Sequence, residues 1–322
     1  MGVGPSEFTW VSDLVRRESA IVLPPGKEYL VEARLLPLAR AAGLAGVDAY
    51  IRAAQRPTSL AERRAIVEAL TTNETSWFRD ATVFASFRRD MLPRLLADRM
   101  AHRPLRIWSA AASTGQEAYS LAMLLIEELG PARRFEIIGT DIARGVLERA
   151  RQGRYTQMEV NRGLPARYLV QYFQRAGTGW QVSPELQRNI QFRELNLAAP
   201  FPPGLPAFDV VFLRNVLIYF DTPTKQTTLR RVRQVMAPGG WLVLGTAETA
   251  RGIDDGFELV RMGDMSAYRP VSGSAFGSAS RPPTGQASGR PSVPSARSPS
   301  VPSARPSSTP PSGPSLQLSG RI

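Results

Sequence analysis

The chain has 322 residues with no cysteine and one histidine, which excludes disulfides, thiolate metal sites and cysteine nucleophiles and disfavours a Ser-His-Asp hydrolase. Its net charge is +12, but residues 271–322 carry five arginines and no acid, so the rest is mildly basic and nucleic acid is not the expected partner. No apolar run reaches the ~20 residues of a bilayer span and MGVGPSEFTW lacks a signal pattern, so a cytoplasmic protein without membrane insertion is expected.

Residues 7–75 read as helices. Phe8, Val11, Leu14 and Val15 share one face, as do Val47, Tyr50, Ile51 and Ala54, and then Ile66, Val67 and Leu70. Pro24-Pro25-Gly26 and Gly43 punctuate them. This predicts an all-helical N-terminal domain. Arg63-Arg64 reads as a solvated face, and Trp77-Phe78 as packing residues. Residues 76–104 form a linker in which His102 has no evident role.

From Arg106 the pattern changes. Residues 106–111 form an apolar strand, Ser113-Thr114-Gly115 a turn, and 116–129 a helix with Ala118, Leu121, Ala122, Leu125 and Leu129 inward. A strand over 136–140 and a helix over 142–151 follow. Further strands are expected at 190–195, 209–213 and 241–245, with a helix over 222–236 between the last two. Strands alternating with helices predict an α/β domain with a parallel, doubly wound, Rossmann-like sheet. Residues 257–261 and 266–269 would close it as an antiparallel edge pair. Residues 163–187 break the alternation. They hold a helix at 167–173, a Gly-Thr-Gly turn and a strand-like Trp180-Gln181-Val182, the mark of a small antiparallel β-insert. The α/β domain is expected to span 76–270. Residues 271–322 are rich in Ser, Pro and Arg and repeat PSVPSAR; they predict a disordered tail.

Ligands of open parallel sheets sit beyond the carboxyl ends of the strands. Three candidate places lie there: the turn 109–117, Thr140-Asp141 and Arg214-Asn215. The first turn lacks the G-x-G-x-x-G of a dinucleotide site and has Gly115 alone. Glu117 puts a carboxylate where a pyrophosphate would sit, which suits a cationic or zwitterionic ligand. Asp141 ends the next strand, where an acid can accept from ribose hydroxyls. Together they point to an adenosine ligand without phosphates, namely S-adenosylmethionine. Two plainer readings stand beside this: Ser113-x-x-Gln116 as a capping box, and Asp141 as the N-cap of the following helix.

TTNETSWFRD (71–80), RIWSAAASTGQEAYS (106–120), GTDI (139–142) and FDVVFLRNVLIYFD (208–221) resemble the CheR-type chemotaxis receptor methyltransferases. The resemblance runs in order over residues 7–269. It implies an N-terminal helical domain, a Rossmann-like methyltransferase domain with a β-subdomain insert, and methyl transfer from S-adenosylmethionine to glutamate side chains in the cytoplasmic helical domain of chemoreceptors. S-adenosylhomocysteine would be the product, no metal is called for, and the enzyme would be a monomer. Carried over residue by residue, the resemblance puts cofactor contacts at Asn73, Thr75, Arg79, Glu117, Asp141, Asn196, Leu197, Arg214 and Asn215. It puts Arg79 and Tyr219 beside the transferred methyl. Gln116 stands where Glu is common, and Leu213 where Cys is frequent. Members that grip a receptor's C-terminal pentapeptide have a longer β-insert loop than Gly177-Thr178-Gly179, which argues against such a tether.

Overall fold

The apolar spacing near the N-terminus gives four helices in the computed structural model, which describes residues 2–97, 103–130 and 134–271. They are α1 (Pro5–Ser19), α2 (Glu28–Ala41), α3 (Val47–Ala54) and α4 (Leu60–Leu70). Pro5 opens α1 where its missing N–H goes unused. The expected faces turn inward, and Val11, Val15, Val31, Leu35, Ile51 and Ile66 are fully buried in one core. Each such side chain contributes about 1.5–3 kcal/mol on burial. α1 stops at Ala20, whose left-handed backbone (φ 59°) returns its N–H to Arg16 O at 2.8 Å. That turn aims the chain so that Ile21 bridges Phe220 of the α/β part. Arg63 is not on a solvated face: it caps the end of α3, donating to the carbonyls of Ala54, Gln55 and Arg56. Arg64 is paired with Glu68 and Glu194. His102 and the tail expectation from residue 272 onward lie outside the described residues.

The connection continues as α5 (Ala81–Ser86), a π-helical turn at Phe87–Met91 and α6 (Leu92–Ala97). The α/β part then runs β1 (Leu105–Ala110), α7 (Gln116–Leu129), β2 (Phe135–Asp141) and α8 (Arg144–Gln152). An insert follows: β3 (Arg154–Thr156), α9 (Gln157–Asn161), α10 (Ala166–Tyr172), β4 (Phe173–Ala176), β5 (Gly179–Val182) and α11 (Pro184–Gln187). The chain returns through β6 (Ile190–Glu194), β7 (Phe208–Leu213), α12 (Thr222–Gln234) and β8 (Met236–Leu244), and ends with β9 (Phe257–Met262) and β10 (Met265–Pro270).

The main sheet has the order β6-β2-β1-β7-β8-β10-β9. β6, β2, β1, β7 and β8 are parallel, while β10 and β9 close the edge antiparallel, as the sequence predicts. Alternate residues feed opposite faces. Ile107, Ile137, Val210 and Phe212 pack with α7 and with α5. Trp108, Ile138, Val211 and Leu213 pack with Leu229 and Val232 of α12. The strand order reverses between β1 and β7, and the crevice at that switch point opens over the carboxyl ends of β1, β2, β6 and β7.

The insert is a small antiparallel sheet, order β3-β5-β4. β3 lies upstream of the 163–187 stretch that breaks the alternation; three residues carry too little pattern to be read as a strand. Trp77 anchors the insert, edge-on to Tyr155 (4.8 Å) and Phe173 (5.3 Å). Phe78 stacks on Tyr168, so both aromatics pack.

Candidate active site

A cleft lies in the crevice at the switch point. Asn73, Thr75, Arg79, Glu117, Asp141, Asn196, Leu197, Arg214, Asn215 and Tyr219 all line it, so residues spread over much of the sequence converge there. Ser19, Ile21 and Thr71 complete the wall from the helical part. No local pattern marks these three, because only the packing of α1 and α4 on the sheet brings them in.

The turn after β1 explains the first acid. Gly115 precedes α7 with φ 95°, and a Cβ there would stand 3.0 Å from the Ala150 Cβ and 3.1 Å from the Phe192 ring. Gly115 is the N-cap, so the plainer alternative, a capping box at Ser113-x-x-Gln116, does not form; Thr114 Oγ1 donates to Gln116 Oε1 at 2.8 Å. Ser113 Oγ donates to Asn73 O at 2.6 Å and ties the turn to the 73–79 segment. Glu117 is then presented from the first turn of α7. Its Oε1 accepts from Ser109 Oγ (2.8 Å) and its Oε2 from Arg214 Nη1 (2.9 Å). Burial pushes its carboxyl up, and the Arg214 guanidinium with the Ser109 hydroxyl pulls it back only in part.

Asp141 ends β2 and is buried. Its Oδ2 accepts from Ser113 N (2.9 Å) and its Oδ1 from Ala143 N (3.0 Å). The N-cap of α8 is Ala143, so Asp141 is not that cap. The backbone N–H of Ile142 also reaches this carboxylate, which still has acceptor capacity to spare beside the cleft. Burial raises this carboxyl too, against the backbone N–H groups that lower it.

Arg214 follows β7 with a side chain only 1% exposed. Besides Glu117, it donates to Asp80 Oδ2 (2.6 Å) and to Arg79 O (2.7 Å). One guanidinium therefore braces two carboxylates and the Arg79 backbone. Asp80, which the motif reading passed over, is the second of those carboxylates. Arg214 Nε is buried without a partner. Arg79 donates through Nη1 to Glu74 O at 3.1 Å, and Glu74 is clasped by Arg162 of the insert at 2.7 Å. Asn196, after β6, donates to Glu18 O (2.6 Å) and accepts from Ala198 N (2.9 Å). Tyr219 also lines the cleft. Its carbonyl accepts from Val22 N at 3.1 Å, so the loop after α1 holds it from the helical side.

Backbone strain gathers here. Among the described residues, the six non-glycine positions with left-handed φ are Ala20, Phe78, Asp80, Ala111, Ser113 and Asn215. All line the cleft or adjoin a residue that does. Each costs on the order of 1–2 kcal/mol, a cost that recurs where a site must be held in one shape.

The cleft suits a nucleoside with a positive charge and no phosphates. Glu74, Glu117 and Asp141 face it against Arg79 and Arg214, leaving one net negative charge among these lining groups. Ala111 allows close approach, and the Asp141 lone pairs match vicinal hydroxyls. A doubly wound sheet with this cradle at its switch point fits the class of S-adenosylmethionine-binding methyltransferase folds.

Comparison with known proteins agrees. Residues 6–71 match the family model described as CheR methyltransferase, all-alpha domain, and residues 73–265 that of the CheR methyltransferase, SAM binding domain. The chain is 36% identical over 275 residues to chemotaxis protein methyltransferase 1 of Pseudomonas aeruginosa, covering 84% of this chain and 99% of that protein. It is 36% identical over 272 residues to the chemotaxis protein methyltransferase of Vibrio parahaemolyticus (83% and 98%) and 36% over 267 residues to that of Escherichia coli (80% and 90%). The chain belongs to the CheR methyltransferase family, and its cofactor is S-adenosylmethionine.

Proposed function

We propose that this chain is a protein-glutamate O-methyltransferase that esterifies glutamate side chains in the cytoplasmic helical domain of chemoreceptors for sensory adaptation. The observation that carries the reading is the meeting of Arg79 and Tyr219 with the Glu117–Asp141 cradle in one cleft. The names of the relatives, chemotaxis protein methyltransferases, supply the receptor context. When bound, S-adenosylmethionine supplies an activated methyl on a sulfonium.

The chain's own residues bind and orient. Glu117 holds the ligand's ammonium and Asp141 its ribose hydroxyls. Asn73, Thr75, Asn196, Leu197 and Asn215 complete the cofactor contacts, and Arg214 keeps Glu117 in place. Arg79 offers a forked donor to the incoming carboxylate. Tyr219 faces the same end and fixes the acceptor oxygen. No general base is required, because a glutamate with a reference pKa of ~4.3 is already ionised at neutral pH. Alignment of nucleophile, methyl and leaving sulfur is what the site must provide. The enzyme works in the cytoplasm as a monomer, with domains at 7–75 and 76–270 and the tail at 271–322.

The test is transfer of radiolabelled methyl to membranes that hold the host's chemoreceptors, followed by mild base. Label released as volatile methanol is the expected result. Base-stable label would mean another acceptor atom. No label on any host receptor, despite measured S-adenosylhomocysteine binding, would mean a non-enzymatic binding module.

A further inference from the structure

Glu248 lies outside the cleft lining, in the turn after β8, and nothing in the sequence pattern singles it out. Its carboxylate is nonetheless the hub of the loop that follows β7. Oε2 accepts the N–H of Asn215 (2.7 Å) and of Gly245 (2.8 Å). Oε1 accepts the N–H of Val216 (2.9 Å) and of Leu217 (2.7 Å). The Ile218 N–H stands at 3.4 Å from the same oxygen. The loop has only the short 3-10 turn Leu217–Tyr219, so these amides have no strand ladder to join. Unmade, such bonds are costly, and an anionic acceptor makes strong ones.

The seat is shaped for this carboxylate. A Cβ on Gly245 would lie 2.6 Å from Glu248 Oε2 and 2.9 Å from Asn215 Nδ2. Asn215 takes its left-handed φ of 58° at the point where the clamp begins. The clamped stretch carries Arg214 and Asn215 at one end and Tyr219 at the other, and all three line the cleft. Val22 holds the far side of Tyr219 through its carbonyl. The loop is thus gripped twice, once from each part of the fold.

We infer that Glu248 is a positioning residue for methyl transfer: it sets the backbone of residues 215–218 so that Tyr219 stands at the reacting end of the cleft. This rests on the proposed methyl-transfer reading. A residue that only stabilised the fold would lower the melting temperature without being coupled to Tyr219.

The test uses full-length protein and initial rates of base-labile methyl ester formation on receptor membranes. The set is wild type, Glu248→Gln, Tyr219→Phe and the double variant. Glutamine keeps the shape but turns an NH2 group toward N–H donors. The expected loss in kcat for Glu248→Gln is about 10- to 100-fold, the scale of a misplaced reacting group. KM for S-adenosylmethionine should rise by less than kcat falls, since Glu117 and Asp141 are untouched and Asn215 is the one proposed cofactor contact whose backbone Glu248 holds. The double variant should be little slower than the slower single one, because both changes act on one contact. Wild-type kcat in Glu248→Gln, or losses that multiply, would overturn the inference. Gly245→Ala, whose Cβ would meet both the Glu248 carboxylate and Asn215, leaves the charge unaltered and should reproduce the loss in kcat and the coupling to Tyr219; that coupling decides the matter where Glu248→Gln does not fold. Protein labelled with 3-fluorotyrosine gives a readout that needs no receptor. The Tyr219 resonance, assigned by Tyr219→Phe, should be single in wild type and broadened or split in Glu248→Gln; identical spectra would sink the proposal. A wild type that esterifies no receptor yet shows this spectral change would refute the substrate reading and leave the positioning role standing.

Discussion

Burial works against charge at both acids of the cradle. Glu117 and Asp141 are each raised from the ordinary carboxyl value, with burial the leading cause. A carboxyl raised in the folded state binds its proton more tightly than in the unfolded chain. Between the ordinary value and the raised one, stability therefore falls as pH rises. A ligand whose ammonium and ribose hydroxyls bond to these acids favours their ionised form, so affinity changes in the opposite sense. S-adenosylhomocysteine should bind more weakly as pH is lowered through the raised values, above the usual carboxylate range. Titration calorimetry across that window checks this, and Glu117→Gln should flatten the slope. At Asp141 the backbone adds a second demand. An asparagine side chain has one carbonyl oxygen to offer two amide donors, so Asp141→Asn leaves a buried N–H unpaired at about 1–3 kcal/mol. The expected fall in melting temperature is about 2–4 °C per kcal/mol. Both acids are legible in the sequence because each follows a predicted strand, Asp141 at its very end and Glu117 in the first helical turn beyond it. Asp80 and Glu248 are not. Their work is done on Arg214, 134 residues from Asp80, and on backbone amides about thirty residues upstream of Glu248, and neither pairing leaves a local pattern.

The elements that place the site differ in how much pattern they carry. α7 is legible to the residue at both ends, since its buried stripe is long and Gly115 and Gly130 bound it. β8 is not: the sequence reading carries the preceding helix to 236 and starts the strand at 241. The helix stops at Gln234, and β8 begins at Met236 with a register shift between Phe208 and Val210. Pro238-Gly239-Gly240 is taken up as an irregularity within the strand, where Gly239 has φ 75°. The strap after α1 is likewise invisible in sequence, because its bridge from Ile21 to Phe220 is wholly tertiary. Val22→Pro deletes the N–H that holds the Tyr219 carbonyl, while Val22 itself is 42% exposed and buries little. Loss of one such bond, about 0.5–1.5 kcal/mol, should slow ester formation about three- to tenfold. The β4–β5 hairpin closes through Gly177-Thr178 alone, with Ala176 paired to Gly179. Trimming a receptor's C-terminal pentapeptide should therefore leave its methylation rate by this enzyme unchanged, as measured with matched full-length and trimmed receptors.

At the scale of the molecule, the helical part is a wall of the cleft as well as a neighbouring bundle. It reaches the α/β part through Arg16–Asp221 (2.9 Å), through Asn196 on Glu18 O, and through the Arg64–Glu194–Arg144 cluster beside β2. Exposed ion pairs of this kind contribute about 0–1 kcal/mol each, so they set registry more than stability. Apolar contact adds to them: Ile21 packs against the core under α12, and Ile142 against the core of the four helices. Both parts fall in one compact unit. The alternation of strands and helices predicts two domains, but it carries no sign that Ser19 and Thr71 line the α/β cleft. A shared cleft has a thermodynamic consequence, because a ligand held by both parts stabilises both together. Heating should give one transition, coincident by helix circular dichroism and by fluorescence of Trp10, Trp77 and Trp108, which sample both parts. S-adenosylhomocysteine at a hundredfold its Kd adds about 2.7 kcal/mol. That should shift the whole transition upward by about 5–10 °C. Two transitions, with only the later one moved by ligand, would mean that the helical part unfolds by itself and adds nothing to the grip on the nucleoside.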